Sequence, residues 1–474
     1  MLLRARATIG SALGLVLACA PAPESDADEA AAPVLAEITD LDPDPGRLRA
    51  ILVAEPAVLD YLPAGPAAVW AYRDGGDPDA VARVPGPLVR VARGTMIEIE
   101  LRNALPVETT IHWHGLRVPA TQDGTPSAQV PVPPGGSFTY RFEARDAGTF
   151  WFHPHVDAAT QIERGLYGAL VVEDDVASAE DFEADRVFVL DDVKLEADGT
   201  LSSTTDALDL MLGRQGNVLL VDGVRRPTLQ AGAGTRERWR FVNAANGRYF
   251  RLRLQGARWL ELASDGGPLP AARELDTVLL VPGERRELAV ELPAAPDTAL
   301  LLETLHTDRG HDVPDPGPLP LMDVVLQDPG ESAPPLVWVG PDIAPLPVPG
   351  PASTRTLVLS EDDEDASDPR FYIDGLAFPE TLPIMVPAGT VERWRVRNDA
   401  QMDHPLHVHG LFFQTLDPSG VPDVAAGWKD TINIPRDASV ELVARFDNIG
   451  QWMVHCHILE HAERGMMTML HVMP

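Results

Sequence analysis

The chain has 474 residues, 45% of them hydrophobic, which is enough for two or three domains with cores of their own. Its formal charge of −33 excludes binding to nucleic acid or to an anionic membrane through a general field. Forty-five prolines and 38 glycines favour many short strands and turns over long helices.

Arg4 and Arg6 precede a short apolar run from Ile9 to Ala18, the pattern of an export signal and too short to span a bilayer. Residues 1–19 are therefore expected to be a signal peptide, with the chain free in the periplasm or anchored to its membrane. Val16-Leu17-Ala18-Cys19 fits a lipoprotein processing box, which leaves a lipid on Cys19; Ala18-Cys19-Ala20 fits an ordinary signal peptidase, which discards it. Two arginines leave with the signal, so −33 becomes −35. Residues 20–45 are expected to be a flexible tether, most plainly in the stretch APAPESDADEAAAP. The one other cysteine is Cys456, so a disulfide framework is excluded.

Beyond the tether one module is written three times. Gly94-Thr95 is followed nine residues after its glycine by Asn103, Gly234-Thr235 by Asn243, and Gly389-Thr390 by Asn398. Between these landmarks apolar and polar residues alternate, as in Met96-Ile97-Glu98-Ile99-Glu100-Leu101, the period of a half-buried strand. The repeats start 140 and 155 residues apart, the length of a β-sandwich domain. The expected fold is all-β, with three tandem sandwich domains at 46–178, 179–332 and 354–474. Seven prolines between Pro334 and Pro351 stiffen a Pro-rich linker at 333–353.

The repeats diverge at one face. Nine and eleven residues beyond Asn103 stand His112 and His114, and at the same offsets beyond Asn398 stand His407 and His409. The middle repeat has Leu252 and Leu254 there. Residues two apart on a strand share a face, so two domains present imidazole pairs where the middle one presents apolar packing. A second correspondence pairs His153-Pro154-His155, five residues after Gly148, with His455-Cys456-His457, five after Gly450.

Ten of the 13 histidines thus fall in four clusters. Without a metal, so many clustered imidazoles would lack partners. The equivalent pairs supply eight imidazoles, which divide among three ions as three, three and two. His404, Cys456 and His461 remain, with Met466 ten residues past the cysteine. Two histidines, a thiolate and a thioether form the donor set of a blue-copper electron-transfer site. Zinc fits these donors but does not change oxidation state. His455 and His457 flank Cys456, and strand alternation places the two donor sets back to back.

These residues and spacings resemble the three-domain multicopper oxidases of the bacterial laccase and copper-efflux-oxidase type, over about residues 46–474. The resemblance implies cupredoxin-like Greek-key domains and four copper ions. It implies that His404, Cys456, His461 and Met466 hold the type 1 ion, His112 and His407 the type 2 ion, and His114, His153, His155, His409, His455 and His457 the type 3 pair. Dioxygen is then reduced to two waters by four one-electron oxidations, with electrons entering through Cys456 and His461. Asp123 stands where the family carries an acid near type 2 copper, implying a proton relay, although Asp123-Gly124 is also a turn-forming pair. Many bacterial members carry an acid directly after the second type 1 histidine; this chain has Ala462, with Glu463 next.

The implied activity is laccase-like oxidation of phenols or aromatic amines near an exposed edge of His461. The alternative donor is cuprous ion, with a role in periplasmic copper tolerance; the absence of a methionine-rich insert weighs against it. A non-enzymatic copper carrier or electron-transfer protein would show exposed, exchangeable ligands, and a copper nitrite reductase lacks the eight-imidazole set. Expected partners are dioxygen and a small reductant or Cu(I), with no nucleic acid. His306, His311 and His471 read as ordinary surface or loop histidines, Glu361–Asp368 as a solvated acidic run, and Met467, Met469 and Met473 as packing residues.

Overall fold

The computed structural model describes residues 32–474 apart from 33, 63, 174–181, 204, 312, 330–332, 363, 364 and 366. The signal peptide and Cys19 therefore lie outside the described residues. The described chain folds as three β-sandwiches in sequence. In the first, a sheet ordered Gly65–Asp74, Arg47–Leu62, Met96–Asn103, Ser137–Glu143 shares a core with a sheet ordered Val89–Ala92, Gly168–Glu173, Gly148–His153, His112–His114. The second domain has sheets of six and five strands. In the third, Arg370–Ile373, Arg355–Asp362, Thr390–Asn398, Ser439–Phe446 and Phe413–Thr415 face Ile384–Pro387, Met467–Met473, Gly450–Cys456, His404–Val408 and Thr431–Ile434.

The threefold repeat has a common physical basis. In each domain the strand after Gly-Thr pairs parallel with the domain's first strand and antiparallel with a later one. Gly94, Gly234 and Gly389 take φ of 89°, 79° and 80°, a turn that other residues adopt only with strain. The asparagine closing each strand does the same work three times over. Asn103 Nδ2 donates to the Val107 and Val132 carbonyls, Asn243 to Arg248 and Leu280, and Asn398 to Met402 and Ile434. Each thereby satisfies buried carbonyls that would otherwise cost about 1–3 kcal/mol apiece. In the middle domain Leu252 and Leu254 are buried in its core.

Part of the expected tether is not free. Leu35 and Ile38 are buried, the Leu88 amide donates to the Ala36 carbonyl, and the Ile38 amide donates to that of Leu88. These buried side chains and backbone bonds bind residues 34–41 to the domains. The Pro-rich linker also lies along the surface, with Trp338 Nε1 donating to the Leu269 carbonyl and Gln414 bonding Ala344 and Leu346.

Three short helices, one from each domain, gather at one place: α1 (Ala158–Glu163), α2 (Ala207–Leu212) and α3 (Leu459–Glu463). Glu460 of α3 accepts from the Arg214 amide just past α2 and from Asn246 Nδ2, and Glu463 accepts from the Ala159 amide of α1.

Candidate metal centre

His112 stands opposite His153 in the first domain, and His407 opposite His455 in the third. The two histidine-bearing faces meet between domains, with His112 stacked on His409 at a centroid distance of 3.9 Å and His114 on His407 at 3.8 Å. Donor atoms converge as three imidazole triads, each within 4.8 Å: His112, His114 and His407; His114, His153 and His457; His155, His409 and His455. Every triad draws on both outer domains.

The imidazoles are arranged as ligands. His112 Nδ1 donates to the Asp123 carbonyl at 2.8 Å, His153 Nδ1 to Pro154 at 2.9 Å, His407 Nδ1 to Asp430 at 3.0 Å and His455 Nδ1 to Cys456 at 2.8 Å. A carbonyl accepts only, so each Nδ1 carries a proton, which in the neutral tautomer leaves Nε2 as the atom with a lone pair for a metal. The Nε2 atoms of His112, His153 and His407, and both ring nitrogens of His457, are buried with no hydrogen-bond partner. Burial holds the rings of His114, His153, His155, His409 and His457 well below the usual imidazole range, and that of His455 down to about 3. Neutral rings with orphaned lone pairs fit a metal and little else.

Behind these rings stands a second set of groups. Asp123 is fully buried, its Oδ2 3.0 Å from His409 Nδ1 and its Oδ1 3.4 Å from His112 Nδ1. Burial raises its carboxyl, but His409 and His112 outweigh that and hold it well below the usual range. Gly124 beside it, at φ 78°, is a true turn residue, since a Cβ there would meet the Ile111 carbonyl at 1.8 Å. Sequence reasoning missed the matching group on the other side. Asp430 Oδ1 lies 3.4 Å from His407 Nδ1 and 3.5 Å from His114 Nε2, and Thr431 Oγ1 donates to it at 2.8 Å. Arg285 from the middle domain grips Asp430 with two bonds of 2.8 and 2.6 Å and also donates to the Thr149 carbonyl of the first domain. Gly283 abuts the cluster too: a Cβ there would stand 2.8 Å from His457 Cδ2.

On the inner side of the Gly450–Cys456 strand lies a third kind of site. Cys456 Sγ is 3.7 Å from His404 Nδ1 and 3.8 Å from His461 Nδ1, and those nitrogens are 3.2 Å apart. Met466 is buried in the same core. Burial pushes the Cys456 thiol above its usual value, so a thiolate here requires a cation beside it. Phe371 stacks on His461 at 3.8 Å.

The expected exposed edge of His461 is absent. The ring is fully buried, and its Nε2 donates to the Met211 carbonyl of α2 at 3.0 Å. The N-cap Asp206 pins that helix in place, accepting from the Leu208 and Asp209 amides. One quieter expectation changes as well. The Glu361 carboxylate is buried, not solvated: its Oε2 lies 3.8 Å from His404 Nε2, and its Oε1 lies 3.1 Å from Nε2 of His311, a half-buried loop residue. Positions 363, 364 and 366 of that acidic run lie outside the described residues.

A thiol-containing trio joined through adjacent residues to eight clustered imidazoles, on three β-sandwiches, defines a copper-dependent oxidoreductase. The comparisons agree. Multicopper oxidase family models match residues 81–177 and 349–474. The chain is 30% identical over 401 residues, 82% of each chain, to "Multicopper oxidase mco" of Staphylococcus haemolyticus. Its fold is similar to the Campylobacter jejuni multicopper oxidase described as a metallo-oxidase (28% identical, TM-score 0.81, covering 94% of this chain and 95% of that one). It is similar also to a laccase from Pediococcus acidilactici (26%, TM-score 0.80, 94% of each). The chain belongs to the multicopper oxidase family, copper-containing oxidoreductases with dioxygen as acceptor.

Proposed function

We propose that this chain couples four one-electron oxidations of a small donor to the reduction of dioxygen to two waters. The observation that supports it most directly is the run His455-Cys456-His457, whose three side chains serve two donor sets on opposite sides of one strand. We assign His404, Cys456, His461 and Met466 to the type 1 ion and His112 with His407 to the type 2 ion. His114, His153 and His457 take one type 3 ion, and His155, His409 and His455 the other. Copper, when bound, supplies one-electron redox chemistry and activates dioxygen. The protein's part is to hold the rings in one tautomer, to exclude water and to deliver protons.

Asp123 is the group we assign to that last task, acting next to His112 and His409. Asp123→Asn is expected to slow turnover about 10–100-fold, the usual cost of losing a partner of a metal ligand. Bleaching of the blue band by donor under anaerobic conditions should be unchanged. An unaltered rate of reoxidation by dioxygen would remove Asp123 from the mechanism.

The donor read first from the sequence is a phenol or aromatic amine, laccase-like. With Met211 over His461, such a donor docks on the outside of α2 and its electron crosses that helix. A second reading is favoured by the same cover: cuprous ion needs no slot for an aromatic ring. Oxygen uptake by copper-loaded enzyme, with a methoxyphenol panel against cuprous ion, tests both. Uptake with phenols alone supports the laccase-like reading, uptake with cuprous ion alone replaces it, and no uptake with either sinks the oxidase assignment. We further place the chain outside the cytoplasm, held by a lipid on Cys19; among the described residues no helix is long and apolar enough to cross a membrane. The mass of the native N-terminus tests this, an unmodified start at Pro21 refuting the anchor.

A further inference from the structure

The outer face of the sheet that carries Cys456 is lined with thioethers. Val454, Cys456, Leu470, Val472, Ile384 and Val386 point into the third core. Alternation therefore puts Met453 and His455, Met467, Met469 and His471, and Met385 on the opposite face of three neighbouring strands. The register places Met453 opposite Met469, Met467 opposite His455, and Met385 opposite His471. Directly opposed residues have Cβ atoms about 4.5–5.5 Å apart. A row of soft donors thus runs inward from Met385, 44% exposed, to Met453 and Met467, both buried. Its inner end walls a cavity of about 410 Å³ that also reaches His153, His155 and His455.

Methionine is a common gap-filler, and packing alone would explain Met453 or Met467. It does not explain Met385, 44% exposed, nor why four thioethers, Met385, Met453, Met467 and Met469, share the outward face with Gln451, His455 and His471 where polar or β-branched groups are usual. Soft thioether sulfur favours cuprous ion over hard ions such as magnesium, calcium and manganese. We propose that this face binds cuprous ion and passes it to His155 and His455, a loading route for the histidine cluster. The transfer exchanges sulfur donors for imidazole nitrogens. Oxidation state does not change, so no oxidant or reductant is needed. The inference goes beyond the oxidase reading, since it concerns how copper arrives and not what the loaded enzyme oxidises.

The test uses full-length copper-free protein, loaded anaerobically from a cuprous bicinchoninate complex, with cluster filling followed by bound copper and by the near-ultraviolet band after admission of air. Met453→Leu with Met469→Leu keeps apolar volume and removes the soft donors. Its loading by cuprous ion is expected to fall at least about tenfold, the usual cost of weakening a metal's partners. Loading by cupric ion and turnover of the filled enzyme should be unchanged. Met385→Leu, at the exposed end where folding is not at issue, should give a smaller fall of the same kind. Equal cuprous loading in wild type and both variants would overturn the proposal. So would a fall shared equally by cupric ion, which marks damage to the fold, or a change confined to the KM for dioxygen, which makes the cavity a gas passage.

Discussion

Cys456→Ser protein is expected to fold, to lack the blue band, to bind three copper ions in place of four, and to oxidise no donor above background. In the proposed assignment, sulfur is the atom that makes the third-domain trio a redox site. A hydroxyl at the same place keeps the volume and costs about 1–3 kcal/mol of burial, which a core of this size absorbs. The eight imidazoles are untouched, so the histidine cluster still fills. Losing an outer partner of a metal ligand commonly costs 10–100-fold, and losing the ligand that receives the electron should cost more than that. Optical spectra, copper content and oxygen uptake together check this. Retained donor oxidation would refute Cys456 as the point where electrons enter.

The second large effect is expected one residue behind the ligands, through Asp430. Arg285→Met removes a guanidinium that is fully buried between Asp430 and Asp265 and bonded to Thr149 of the first domain. Breaking a buried pair by deleting one partner costs about 3–5 kcal/mol, because the other charge stays buried without compensation. Asp430 would also lose the grip that aims it at His407 and His114. We therefore expect a lower unfolding temperature together with weaker copper retention, most sharply at the His112–His407 position. Arg285→Lys should recover only part, since one ammonium cannot make the paired bonds. A variant that unfolds at the wild-type temperature and keeps four ions against a chelator would show that the middle domain is not part of the metal centre.

How far this was legible from sequence depends on the range of each signal. The sandwiches and their histidine faces were legible because both are periodic: alternation of two along each strand, and a module of near-constant length. Asn103, Asn243 and Asn398 marked the repeat before their hydrogen bonds were known. The partners of the rings were not legible. Arg285 and Asp430 are 145 residues apart and sit in different domains, so no local pattern joins them. Met211 covers His461 from 250 residues away through a carbonyl, a group every residue possesses. The thioether row escaped for a similar reason. Met385, Met453 and Met469 look scattered along the chain and become neighbours only through strand register.

Each imidazole triad takes rings from both the first and the third domain. A chain halted anywhere before residue 407 during synthesis therefore owns part of a binding site and none that is whole. Copper and the docking of the outer domains form one equilibrium: whatever tightens the ions stabilises the assembled chain by the same free energy. Such an arrangement acts as an inspection step, in which only a finished and correctly closed molecule can acquire a metal able to handle dioxygen.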